Sequence, residues 1–170
     1  MLDFLFRRLT AGPPRGSDLF ESVTRIAREP HWYIEGKVPD TLDGRFAVLA
    51  TVLALLTVRL EADGERGDVV SVGVTERFIA VMESEHRELG LGDPTLGKTV
   101  RKLVGSLARR TELWRSTMSG AISWEQATAD SLYKAAPSSE AIRHSSSALK
   151  RLRSALESAS FDEIAEGKLR

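Results

Sequence analysis

The chain has 170 residues, of which 42% are hydrophobic, 28% charged and 6% aromatic; these are globular proportions and exclude a disordered, collagenous or fibrous protein. Its 24 basic and 24 acidic residues cancel, which argues against a strongly basic DNA-binding protein. With no cysteine there can be no disulfide scaffold, thiolate nucleophile, cysteine-ligated zinc or iron–sulfur cluster.

In residues 1–9, Leu2, Leu5, Phe6 and Leu9 share one helical face, and Arg7 and Arg8 lie beside it. The basic residues follow the apolar ones, the reverse of a secretory signal, so export is not expected. An amphipathic segment of this kind is expected to dock weakly and reversibly on a membrane surface or a hydrophobic client, or to pack back on its own bundle. Residues 10–16 form a Gly/Pro linker. The expected organisation is therefore an amphipathic segment and linker over 1–16 and one helical domain over 17–170.

Asp18, with Glu21 three residues on, predicts a capped helix that ends before Pro30. Residues 31–34 (His-Trp-Tyr-Ile) read as a short helix or an extended packed segment. Pro39 fixes the next loop, and Asp40 or Thr41 caps a helix over 42–62 that is apolar nearly all round and belongs at the centre of a bundle. Its longest apolar run, 46–58, spans about 20 Å as helix, short of the roughly 30 Å hydrocarbon core of a membrane. The connection over 63–68 is acidic and glycine-rich. Helices are then expected over 69–89 (with a buried strand at 69–74 as the alternative), 95–118, 122–136 and from Ser138 or Ser139 to about 157. Helix follows helix with no strand alternation, so the fold class is all-α, a single-domain bundle of about six to eight helices. Trp32, Tyr33, Phe46, Leu53, Val100, Leu103 and Leu107 are expected to share its core.

Charge is unevenly distributed. Residues 61–93 carry nine acids against three arginines, whereas 97–115 carry six bases against one acid. Two helices with complementary solvated faces would account for this, and so would a basic surface for an acidic or ribosomal partner.

Candidate chemistry is sparse. Gly92, Gly97, Lys98 and Thr99 match the Gly-x-x-x-x-Gly-Lys-Thr pattern of a phosphate-binding loop, but that loop needs a strand before it, and the residues here read as helix. A nucleotide-binding regulator or enzyme built on residues 92–99 is therefore the alternative reading. His31, His86 and His144 are far apart in sequence, and Glu83 with His86 reads as a surface pair. No nucleophile elbow is present and no acid/base couple stands out. The densest segment is Pro39-Asp40-Thr41-Leu42-Asp43-Gly44-Arg45-Phe46. Glycine inside a helix costs about 0.5–1 kcal/mol relative to alanine, so Gly44 points to close approach of another backbone. Arg45 is within reach of Asp40 or Asp93, and Asp40, Asp43, Arg45, Asp93 and Lys98 are expected to form one polar cluster.

Three segments, Trp32-Tyr33, Pro39 to Phe46 and Gly92-Asp93-Pro94-Thr95-Leu96-Gly97-Lys98-Thr99-Val100-Arg101-Lys102, together resemble the ubiquinol–cytochrome c chaperone family. These are assembly factors of the cytochrome b-containing respiratory complex III. Order and spacing agree over residues 31–118. The family often has an aromatic-Gly-Arg segment where this chain has Leu107-Ala108-Arg109-Arg110. The resemblance implies an all-helical, non-enzymatic chaperone with no cofactor, acting on newly made cytochrome b or another membrane-protein client. Mitochondrial relatives associate with the ribosome near the tunnel exit. The chain resembles a bacterial member, placed in the cytoplasm or peripherally at the inner face of the plasma membrane. The resemblance makes Trp32, Tyr33, Pro39, Asp40, Asp43, Gly44, Arg45, Phe46, Gly92, Asp93, Gly97, Lys98, Arg101 and Lys102 the candidate partner-binding residues.

Overall fold

The computed structural model describes residues 16–88, 90 and 93–169, and for His86, Asp93 and Pro94 the backbone alone. In chain order the elements are α1 (Ser17–Ala27), α2 (His31–Ile34), α3 (Leu42–Leu60) with a 3-10 turn at Glu61–Asp63, α4 (Glu65–Glu88), α5 (Asp93–Met118), α6 (Trp124–Leu132), α7 (Ser139–Ser158) and α8 (Phe161–Ala165). This is an all-α bundle, and no strand occurs among the described residues.

α3 is central because it has no polar face to give to water. From Ala47 to Leu56 every residue is buried, and Val48, Leu53, Leu55 and Leu56 are fully so. α1, α4, α5, α6 and α7 pack around it. The two polar side chains facing into this layer, Thr51 and Thr57, donate back to the carbonyls of Ala47 and Leu53 in their own helix, so their hydroxyls are paired in an apolar setting. Of the residues expected in the core, Trp32, Leu53 and Leu107 are buried, and Tyr33, Phe46 and Leu103 pack against them half-buried. Val100 is half-buried and lies outside that core.

Several boundaries differ from those expected. α1 begins two residues earlier than a cap at Asp18 would start it, after Gly16 in the left-handed conformation, with no side-chain cap. The β-branched run at 69–74 is helical as expected, but α4 starts at Glu65, inside the segment expected as a connection. Gly67 makes that early start feasible: a Cβ there would meet the Leu60 carbonyl oxygen at 1.9 Å, so the turn into α4 folds tightly over the end of α3. α6 is shorter than expected, because Tyr133 is extended and carries the chain away toward α7. Ser138 caps α7 through the Ala141 amide, as expected.

The C-terminal α8, closed by a Ser160–Glu163 capping box, had no counterpart among the expected helices. After it, Gly167 in a left-handed conformation lies against the backbone of Asp18 and Leu19. The Ser22 hydroxyl donates to the Gly167 carbonyl, and Arg25 donates to the Leu169 carbonyl. Among the described residues, the N-terminal helix thus closes on the C-terminal segment. Arg59 makes a second long-range tie. It donates to the carbonyls of Leu156 and Ala159, which α7 leaves unpaired at its C-terminus, and pairs with Asp63.

Candidate functional site

The loop before α3 is organised by hydrogen bonds that the sequence motifs supply. Trp32 Nε1 donates to the Ile26 carbonyl and the Tyr33 hydroxyl to the Ala27 carbonyl, both at 2.8 Å. Both acceptors lie in the last turn of α1, so this aromatic pair closes a helix end. Burial pushes the Tyr33 hydroxyl above its ordinary value, against the lowering effect of Arg45. Thr41 Oγ1 caps α3 by accepting from the Gly44 amide. The Pro39 carbonyl, which accepts from the Thr41 amide, lies where a Cβ on Gly44 would be, at 1.9 Å. The close approach expected at Gly44 is therefore this loop, and Val38 is buried beneath it.

Within α3, Asp43 and Arg45 are two positions apart and so lie about 200° apart around the axis. The expected single cluster is split for that reason. Arg45 pairs with Asp40 at 2.6 Å, and this hydrogen bond holds the Asp40 carboxyl below the usual carboxylate range. Asp43 pairs instead with Lys134 at 2.5 Å. Lys98 is exposed and makes no ion pair among the described residues, and the side chain of Asp93, like the whole of Gly92, lies outside them.

The ring of Phe46, one turn on, separates two grooves. On one side Phe46 lies 6.1 Å from Phe78, centroid to centroid, and helps line a groove of about 520 Å³ with Phe20, Leu42, Leu49, Val81 and Met82. Arg28, Arg45, Glu85 and Glu88 stand at its rim. Leu42 is 57% exposed there, and Ile34, across Tyr33 and Arg45, is 60% exposed. On the other side Phe46 faces the guanidinium of Arg110 at 5.8 Å and helps line a second groove, about 740 Å³, between α3, α5 and the end of α6.

Arg110 is the functional candidate that sequence reasoning passed over. It counted only as one base of the 97–115 set, yet it is 9% exposed. Its Nε and Nη2 donate to the Ser131 carbonyl in the last turn of α6, and its Nη1 donates to Ser106. No carboxylate pairs with it among the described residues, and burial, with Arg109 adjacent, lowers its pKa to about 10. Lys102 and Arg109 flank it on the groove's rim. Arg101, like Lys98, is exposed on α5 away from both grooves. The structure also brings together two histidines that are far apart in sequence. His31 Nδ1 and His144 Nε2 share a 3.1 Å hydrogen bond, and His31 Nε2 meets Glu29 at 3.0 Å. No group of three or more potential metal ligands occurs among the described residues.

The Gly-Lys-Thr segment has no phosphate-loop geometry. Residues 93–99 are the first turns of α5, the element before them is α4, and nothing over a Cβ at Gly97 lies within 4 Å. No described helix is long and apolar enough to cross a membrane.

The family model described as ubiquinol-cytochrome C chaperone matches residues 35–169. The crystal structure of the Cbp3 homolog from Brucella abortus has the same fold, with a TM-score of 0.77 over 99% of this chain and 95% of that one, at 22% identity. No curated protein matches the sequence.

Proposed function

From the chain's membership of the ubiquinol–cytochrome c chaperone family, a family of complex III assembly chaperones, we propose that it holds an apolar segment of a membrane-protein client, cytochrome b, in the groove between α1, α3 and α4. The observation that carries this reading is Leu42, a large apolar side chain left 57% exposed beside a preformed apolar groove, within the segment that defines the family resemblance. An apolar patch of this kind, rimmed by charge, suits a client whose own apolar surface has not yet been covered. The mixed rim of Arg28, Arg45, Glu85 and Glu88 has no net charge and accepts flanking residues of either sign. On this reading the protein does no chemistry of its own. It binds the client at or near the inner face of the plasma membrane, as the chain leaves the ribosome, with residues 1–9 supplying a weak, salt-sensitive membrane contact. Asp40 and Arg45 would fix the loop that presents Leu42.

A photo-reactive phenylalanine analogue at position 42, with cytochrome b translated in the presence of inverted membranes, should give a crosslink to an apolar cytochrome b segment. Leu42→Asp should abolish that crosslink from a second probe at Val81 without changing the melting temperature. Full client capture by the Asp variant would refute the groove. Liposome flotation with and without residues 1–16 tests the membrane contact, and equal flotation would remove it.

A further inference from the structure

The second groove has a different chemistry and nothing in the client reading uses it. Its floor is apolar, formed by Phe46, Ala47, Leu103 and Leu132, but five cationic residues line it, Lys37, Lys102, Arg109, Arg110 and Lys134, of which Lys134 is paired with Asp43. Lys102 and Arg109 are exposed and make no ion pair among the described residues, and Arg110 is buried with carbonyl and hydroxyl partners only. Ser131 supplies the independent observation. It is one of the lining residues of the same groove, it is 1% exposed, and its buried Oγ has no hydrogen-bond partner among the described residues. A buried hydroxyl without a partner, next to a buried guanidinium without a carboxylate, leaves a costly unmet demand for an oxyanion.

We propose that this groove binds an acidic peptide segment of a partner protein, with one carboxylate received by Arg110 and Ser131 and its apolar neighbours laid against Leu103 and Leu132. A groove of about 740 Å³ with an apolar floor is far larger than a lone oxyanion needs. Nucleic acid fits it less well. Single-stranded nucleic acid stacks its bases on aromatic faces. The Phe46 ring here is already covered by Arg110 and Phe78, and the Tyr133 hydroxyl is turned inward to Gly36 and Ser145. Asp43 and Asp130 on the rim would repel an unbroken phosphodiester backbone but leave room for one or two spaced carboxylates. The inference is independent of what occupies the groove across Phe46.

The test is fluorescence anisotropy with a labelled 14-residue peptide of leucine and alanine carrying glutamate at every fourth position, beside its glutamine counterpart. The full chain should bind the glutamate peptide at least tenfold more tightly, and added salt should weaken that binding. Lys102→Glu with Arg109→Glu, two exposed positions that leave the fold intact, should remove the preference, while Leu42→Asp should not. Ser131→Ala should weaken the glutamate peptide alone. Equal affinity for the two peptides, or an unaltered double variant, overturns the proposal. So does complete competition by millimolar inorganic phosphate, or tighter binding of a uridine-rich RNA 12-mer lost in the same double variant; these would assign a simple anion site or a nucleic-acid site instead.

Discussion

Replacing Gly44 by alanine should reverse the usual sign of a helical Gly→Ala change. In an open helical site the substitution stabilises by about 0.5–1 kcal/mol, because alanine loses less backbone entropy on folding. At Gly44 the new Cβ would meet the Pro39 carbonyl oxygen at 1.9 Å, and Pro39 cannot relax through φ. The loop over 38–40 must lift away from α3. That lift breaks the 2.8 Å bond from the Thr41 amide to the Pro39 carbonyl, a loss of about 0.5–1.5 kcal/mol. It also withdraws much of Val38, now 2% exposed, from the core, and full exposure of a valine costs about 1.5–3 kcal/mol. After the intrinsic gain of alanine is set against these losses, Gly44→Ala should destabilise by about 2–3 kcal/mol. Urea unfolding followed by tryptophan fluorescence measures it, since Trp32 and Trp114 are buried. Gly97→Ala in α5, where a Cβ meets nothing within 4 Å, is the matched control and should stabilise by about 0.5–1 kcal/mol. A neutral or stabilised Gly44→Ala protein would refute the reasoning, because the loop would then be free to move at no cost.

Leu53→Ala removes a fully buried side chain from the centre of α3 and should cost about 2–5 kcal/mol by thermal or urea unfolding; a loss under about 1 kcal/mol would mean α3 is peripheral. Tyr133 donates to the Gly36 carbonyl at 2.5 Å, so Tyr133→Phe should cost about 1–3 kcal/mol through the carbonyl it leaves unpaired. Burial raises the pKa of Tyr133 above 10.0, so its unfolded form ionises first. Its contribution is complete below that value and falls as pH rises past it, and Tyr133→Phe should flatten the decline in stability measured above pH 10.0. The unsubstituted chain should show the same melting temperature with and without magnesium ATP; a saturable nucleotide-dependent rise would restore the phosphate-loop reading.

The central helix was readable from sequence because its apolar residues leave no polar face, which admits one location only. The helix starts at Thr41 and Ser138 were readable for a similar reason: capping is local chemistry, settled within four residues. The start of α4 was not, because the acidic, glycine-containing run at 63–68 reads as a connection, and only the fold shows Gly67 fitted against the end of α3. α8 is five residues long, too short to display a period, and its capping box was the signal available for it. At the site, the motifs identified the loop around Pro39 and Gly44, but the partners of Asp43 and Arg45 depend on which way each faces across α3. Arg110 was invisible for the opposite reason. In sequence it is one arginine in a basic run, and only the fold shows that it is buried against the end of α6.

The tie between α1 and the last residues has a consequence for how the protein is made. Between Ser22 and its acceptor Gly167 the ribosome adds 145 residues, which takes roughly 7–30 s at about 5–20 residues per second. Throughout that interval the inner face of α1, with Leu19, Phe20 and Val23, lacks part of its cover. Phe20 also lines the groove beside Leu42. On the proposed reading, the groove that would receive a client lies, while the chain is still nascent and Gly167 has not yet been made, beside a helix face open to the same unwanted apolar contacts that the protein would later shield in another protein.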